Sequence, residues 1–112
     1  RRIEERFFTM IDHGLLDEVK ELFSRGELDL NTPASRSVGY RQLRDWCAGD
    51  SDLDDAVELG IRATRNLAKR QLTWLRKWPN LQTFDIDEEG ELLTCLELEN
   101  KVSKLVSDYL LL

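Results

Sequence analysis

Two stretches of this 112-residue chain carry base without acid, Arg36 to Arg44 and Ile61 to Trp78. Residues 36–78 hold nine bases, and all nine fall in those two stretches. The flanks are acidic, with eight carboxylates each in 1–35 and 79–112. A net charge of −6 argues against a polyanion partner, but screening makes binding depend on nearby charges. At 100° per residue, Arg62, Arg65, Lys69 and Arg76 fall within an arc of about 60°, with Arg70 and Lys77 beside them. A helix dipole favours cations only in the last turn, so it accounts for part of this stripe. The rest suits a surface that tracks a phosphate backbone. The junction Arg36-Ser37-Val38-Gly39-Tyr40-Arg41 has matching chemistry. Arginine forks onto phosphate, glycine lets a backbone approach closely, and tyrosine stacks on an unpaired base or joins a core.

Other reactive types lack company. His13 precedes Gly14 with no nearby nucleophile or second ligand, and a helix C-terminus accounts for it. Asp85, Asp87, Glu88, Glu89 and Glu91 do not follow a calcium-loop spacing and read as a solvated turn, so no metal site is expected. Trp46, Trp74 and Trp78 offer stacking surfaces, but Trp74 and Trp78 fall on the apolar side of their helix. Cys47 and Cys95 form no CxxC pair and lack an activating neighbour; they are expected to be inert and fit a reducing compartment, the cytoplasm. No apolar run is long enough to span a membrane.

The elements that must position these residues are mainly helices. Apolar periodicity predicts helices over 2–13, 15–25, 39–48, 52–78 and 91–111. Gly14, Gly26 and Gly49 end the first three, and Pro79 ends the fourth. Residues 27–37 read as a polar loop. Ser51-Asp52-Leu53-Asp54 reads as a capping box opening the longest helix. That helix is expected to bury Val57, Ile61, Thr64, Ala68, Leu72 and Leu75, widened by Leu67, Trp74 and Trp78. Residues 81–86 read as one short strand candidate; a lone strand cannot satisfy its backbone groups, so this is either an extended tail segment or a strand whose partners lie outside these residues. The opening Arg1-Arg2-Ile3-Glu4-Glu5-Arg6 starts in mid-pattern, so the chain is read as a piece of a larger protein.

Arg36 to Arg41, then Ala63-Thr64-Arg65-Asn66-Leu67-Ala68-Lys69-Arg70-Gln71-Leu72-Thr73-Trp74-Leu75-Arg76, resembles the C-terminal part of bacterial tRNA dimethylallyltransferase, also called tRNA isopentenyltransferase. The opening Arg2 to Phe7, Met10, Gly14-Leu15 and Glu18-Val19 resembles the segment before those motifs. The resemblance covers about residues 2–86, and the ordered set is far more specific than any one motif. It implies transfer of a dimethylallyl group from dimethylallyl diphosphate to the exocyclic amine of the adenosine 3′ of the anticodon. It implies a P-loop-type, nucleotide-binding α/β parent with magnesium accompanying the diphosphate. Arg6 would then help hold the diphosphate. Arg36, Ser37, Val38, Gly39, Tyr40 and Arg41 would touch the tRNA anticodon stem-loop. So would Lys69, Arg70, Gln71, Leu72, Thr73, Trp74, Leu75 and Arg76.

There are departures from the family pattern. No G-x-x-x-x-G-K-[ST] sequence occurs in these residues. The family's catalytic aspartate would lie upstream of Arg1, in the P-loop half that this segment would dock against. The resemblance therefore implies one C-terminal segment, helical and tRNA-contacting over 1–78, with a strand and terminal helix over 79–112. No magnesium is expected in this segment and no catalysis from it alone. The alternatives are a non-catalytic helical RNA-binding module, or a protein-interaction module whose basic stripe meets an acidic partner.

Overall fold

The computed structural model describes residues 1–110. Five helices account for most of them: α1 (Arg2–Asp12), α2 (Leu15–Ser24), α3 (Tyr40–Cys47), α4 (Leu53–Arg76) and α5 (Cys95–Leu110). A 3-10 turn covers Ala34–Arg36, and two short strands, β1 (Asp87–Glu88) and β2 (Glu91–Leu92), pair antiparallel. The mainly helical class follows from the sequence periodicity. Residue 111, in the predicted last helix, lies outside the described residues.

The chain divides into two compact units, Arg1–Lys77 and Trp78–Leu112. In the first, α3 packs on α4 and α2, and α1 packs on α4 and α2. Phe7, Val19, Leu28, Leu43, Ala56 and Ile61 form the buried core. Helices α1 and α2 part where expected. His13 closes α1 with its Nδ1 at 2.7 Å from the Thr9 carbonyl, and Gly14 turns the chain at φ 101°. The expected structural role of His13 is borne out.

The loop over 27–37 is less polar than its sequence. Leu28 is fully buried, and Ser35, also buried, donates to the Thr32 carbonyl at 2.7 Å. Arg44 reaches across from α3 and donates through Nε to the Leu28 carbonyl at 2.7 Å. One of the nine bases thus serves packing, where the sequence placed it in a polyanion-facing segment.

Helix α4 is continuous, as predicted. Its start differs from the expected capping box: Asp52 is the N-cap, extended at φ −70° and ψ 158°, with no side-chain cap bond. The Ser51 hydroxyl turns instead to the Asp52 carbonyl. Its burial also differs from the expected continuous stripe. Ala56, Gly60 and Ile61 are buried and Leu67 half-buried, but residues 69–76 are exposed throughout, including Leu72, Leu75 and Trp74. The buried positions of α4 therefore lie in its first half.

The second unit corrects two further expectations. No strand forms over 81–86. Its alternation is imperfect, while Glu89 and Gly90, at φ 49° and 86°, supply the two left-handed residues of a tight hairpin turn. The strands flank that turn, Asp87 facing Leu92 and Glu88 facing Glu91, and the Leu93 amide extends the ladder to the Ile86 carbonyl. The two observed strands pair with each other. Helix α5 starts at Cys95, later than position 91, because β2 takes Glu91 and Leu92 and a reciprocal cap follows. The Thr94 amide donates to Glu97 Oε2 at 2.7 Å, and the Glu97 amide donates to Thr94 Oγ1 at 3.3 Å. This is the Thr-x-x-Glu capping box, and the sequence reading passed over it.

Candidate anion and nucleic-acid interface

Phe7 sets the geometry of the site. Its ring lies against Gly60 of α4, where an added Cβ would sit 2.7 Å from Cζ, and near Gly39, where a Cβ would sit 3.7 Å from Cε2. The two glycines are required for different reasons. At Gly60 the space is already filled by the ring. At Gly39 the backbone sits at φ 96° and ψ −59°, a region that L side chains rarely adopt. Gly39 also donates its amide to Gln42 Oε1 at 2.9 Å, which fixes the first turn of α3.

Phe7 therefore brings the α1 residue beside it, Arg6, next to the junction before α3. Arg6, Ser37, Val38, Gly39 and Tyr40 line one open pocket of about 490 Å³, together with Ile3, Met10 and Leu15 and with Thr64 and Leu67 of α4. The wall is mostly apolar, with one cation, Arg6, and one carboxylate, Glu18. Arg6 is exposed and forms no ion pair among the described residues. The Tyr40 hydroxyl donates to Glu18 Oε1. That bond, then burial, pushes the Tyr40 pKa up, so the phenol keeps its proton. Tyr40 packs against the core as well as lining the pocket, which bears out the core reading of this residue.

The basic stripe of α4 divides in two. Arg62 pairs with Glu58 at 2.8 Å, and Arg65 reaches Glu4 of α1 at 2.8 Å. Neither acid lies in the acid-free stretch, so the sequence pattern did not show that these two cations are neutralised. Lys69, Arg70, Arg76 and Lys77 are exposed and form no ion pair among the described residues. Arg36 and Arg41 are likewise exposed on either side of the pocket-lining segment, with Ser37 between them and Val38 half-buried. Gln71, Leu72, Thr73, Trp74 and Leu75 are all exposed, and the Thr73 hydroxyl donates to the Lys69 carbonyl. The available cations are thus the ones that flank the two motif segments. The ones between those segments and the core are used as struts.

The remaining candidates behave as structural groups. Trp46 lies beneath the Lys20 ammonium, 5.1 Å from nitrogen to ring centroid. Burial pushes the Cys47 thiol up, with Lys20 opposing, which fits an inert cysteine. Among the described residues no group of three His, Cys, Asp or Glu side chains gathers as a metal site. No helix there is long and apolar enough to cross a membrane.

The fold of this chain is found within a class of solved structures, the tRNA isopentenylpyrophosphate transferases. The chain is similar to that of Staphylococcus epidermidis at 25% identity and a TM-score of 0.78, over 96% of this chain and 33% of that one. It is similar to the full-length enzyme of Bacillus halodurans at 31% identity and a TM-score of 0.75, over 96% and 35%. The IPP transferase family profile matches residues 1–78, and the chain belongs to that family. It spans about a third of the length of the two solved relatives.

Proposed function

We propose that this chain is the C-terminal part of a tRNA dimethylallyltransferase, which moves a dimethylallyl group from dimethylallyl diphosphate to the N6 amine of the adenosine 3′ of the anticodon. The observation that carries the reading is the single pocket shared by Arg6 and residues 37–40, flanked by the free cations Arg36 and Arg41. Breaking an allylic carbon–oxygen bond leaves positive charge on carbon and negative charge on the departing diphosphate. A fixed cation stabilises that leaving group as its charge rises. Arg6 has this role. Arg36, Arg41, Lys69, Arg70 and Arg76 meet the phosphates on either side of an adenosine drawn out of its stack.

The P-loop and the base that takes the amine proton belong to the remainder of the parent, so this chain alone transfers nothing. Its place is the cytoplasm, with tRNA. Magnesium is a feature of the family's diphosphate site. The pocket that Arg6 lines offers one carboxylate, Glu18, already engaged by Tyr40, which does not make a divalent-cation site, so no step is derived through the metal.

The test uses the full-length parent and filter-binding salt titrations alongside single-turnover rates. Replacing Lys69 and Arg70 by alanine should weaken tRNA binding and flatten its salt dependence, because fewer counterions are released. Arg6→Ala should instead lower the chemical step, on the order of 10²- to 10³-fold for loss of one such donor. If Arg6→Ala weakened tRNA binding as much as the double change and left the chemical step intact, the assignment would be wrong.

A further inference from the structure

Among the described residues the Arg6 guanidinium is unpaired, although acids lie close to it in sequence and in its pocket. Glu4 is held by Arg65 at 2.8 Å, Glu5 by Arg1 at 3.5 Å, and Glu18 accepts the Tyr40 hydroxyl. Of these three, only Glu18 lines the same pocket as Arg6. Its side chain and that of Arg6 are both long, exposed and of opposite charge. In a cavity of about 490 Å³ the two are natural partners, yet they do not pair. What separates this carboxylate from an ordinary one is the phenol bound to it.

We propose that the Tyr40 hydroxyl is a positioning group that holds Glu18 away from Arg6 and so keeps the Arg6 cation open to an anionic ligand, an organic diphosphate. The proposal rests on reading Arg6 as the diphosphate-facing cation and adds the group that maintains that state. In this role Tyr40 needs no contact of its own with the diphosphate. It acts through the carboxylate. Its ring is anchored at the start of α3, against the core, and its phenol stays protonated beside Glu18. The bond joins residues 22 apart in sequence and ties the first turn of α2 to the first turn of α3. Removing only the hydroxyl frees Glu18 to turn toward Arg6 and compete with the ligand.

The experiment is done in the full-length transferase, with inorganic pyrophosphate as the probe. Its dissociation constant is measured by calorimetry, and the KM for dimethylallyl diphosphate is measured beside tRNA affinity. Tyr40→Phe should weaken pyrophosphate binding and raise that KM by roughly two- to fivefold, the range of a solvent-exposed ion pair, with tRNA affinity changed less. Adding Glu18→Gln to Tyr40→Phe should restore both values, because the competing charge is gone. A merely structural phenol would give the opposite, since losing both partners cannot repair packing. A double variant no better than Tyr40→Phe, or a Tyr40→Phe variant equal to wild type, overturns the proposal. Arg6→Gln separates the two readings. If it leaves pyrophosphate binding unchanged, the role of Arg6 itself fails and the proposal with it. If it weakens binding while the double variant fails to recover, only the role of Tyr40 fails.

Discussion

Arginines 41 and 44 lie three residues apart on one short helix and do different work. Arg41 is exposed, while the Arg44 side chain is 16% exposed and holds the Leu28 carbonyl beside the core. Arg44→Met keeps much of the aliphatic length but leaves that carbonyl without its partner. It should destabilise the chain by about 1–3 kcal/mol, the cost of an unsatisfied buried acceptor. Arg41→Met should leave stability within about 0.5 kcal/mol and act on tRNA affinity instead. Urea denaturation of the two variants checks the first pair of values, and equal losses would erase the distinction. The sequence could not separate these residues, because both sit in one acid-free run and the loop that Arg44 meets looked polar. For the same reason Arg62 and Arg65 read as part of the free stripe. The acid that claims Arg65 lies 61 positions away, and composition reports only near neighbours.

Helix positions followed from the sequence more closely than helix burial did. Four of the five helices end two or three residues before the glycine or proline stops, because those residues act locally. Burial depends on which elements pack together, and α3 and α1 cover only the first half of α4. The hairpin was missed because its signal, Glu89-Gly90 at left-handed dihedrals, is a weak variant of the usual Asn-Gly or Asp-Gly turn. The start of α5 was legible in Thr94-x-x-Glu97 and was overlooked. That cap carries a pH dependence. The Thr94 amide and hydroxyl hold the Glu97 carboxyl below its ordinary value of 4.5. A depressed carboxyl contributes its stabilisation above the unfolded value and loses it as pH falls through the lowered folded value. Protection of the Thr94 amide from exchange should therefore be complete above pH 4.5 and decline below it. Glu97→Gln should remove the pH dependence while keeping part of the cap. Protection that stayed constant through the acid range would rule this out.

All six buried core residues lie in the unit Arg1–Lys77, and none lies in Trp78–Leu112 among the described residues. The first unit should therefore fold without the second. A chain ending at Asn80 should keep a single cooperative thermal transition, followed by circular dichroism at 222 nm, while a peptide of residues 81–112 should show at most partial helix. A broad, non-cooperative melt of the 1–80 chain would show that the core draws stability from elsewhere. The same division explains why the site was partly legible. Arg6, the 36–41 junction and the basic end of α4 all belong to one unit, so a set of ordered motifs could mark it. Their assembly around Phe7 was not visible, because it depends on two distant glycines meeting one ring.

That ring works as a gauge block. Its thickness sets the clearance between the helix carrying Arg6, the cation proposed to face the diphosphate, and the backbone proposed to meet RNA. A core residue is ordinarily judged by how much stability it supplies, and by that measure Phe7→Leu should be mild, costing on the order of 1–2 kcal/mol. Here the thinner side chain also changes a dimension, and misplacing reacting groups by about 1 Å can cost 10²-fold in rate. In the full-length enzyme Phe7→Leu should thus remain folded and bind tRNA, yet lose far more turnover than its melting temperature suggests. Gly60→Ala errs in the other direction. Its helix-propensity gain of up to about 1 kcal/mol is opposed by overpacking of about 1–3 kcal/mol against the ring. Two substitutions of opposite size, one subtracting material and one adding it, should converge on the same loss of alignment.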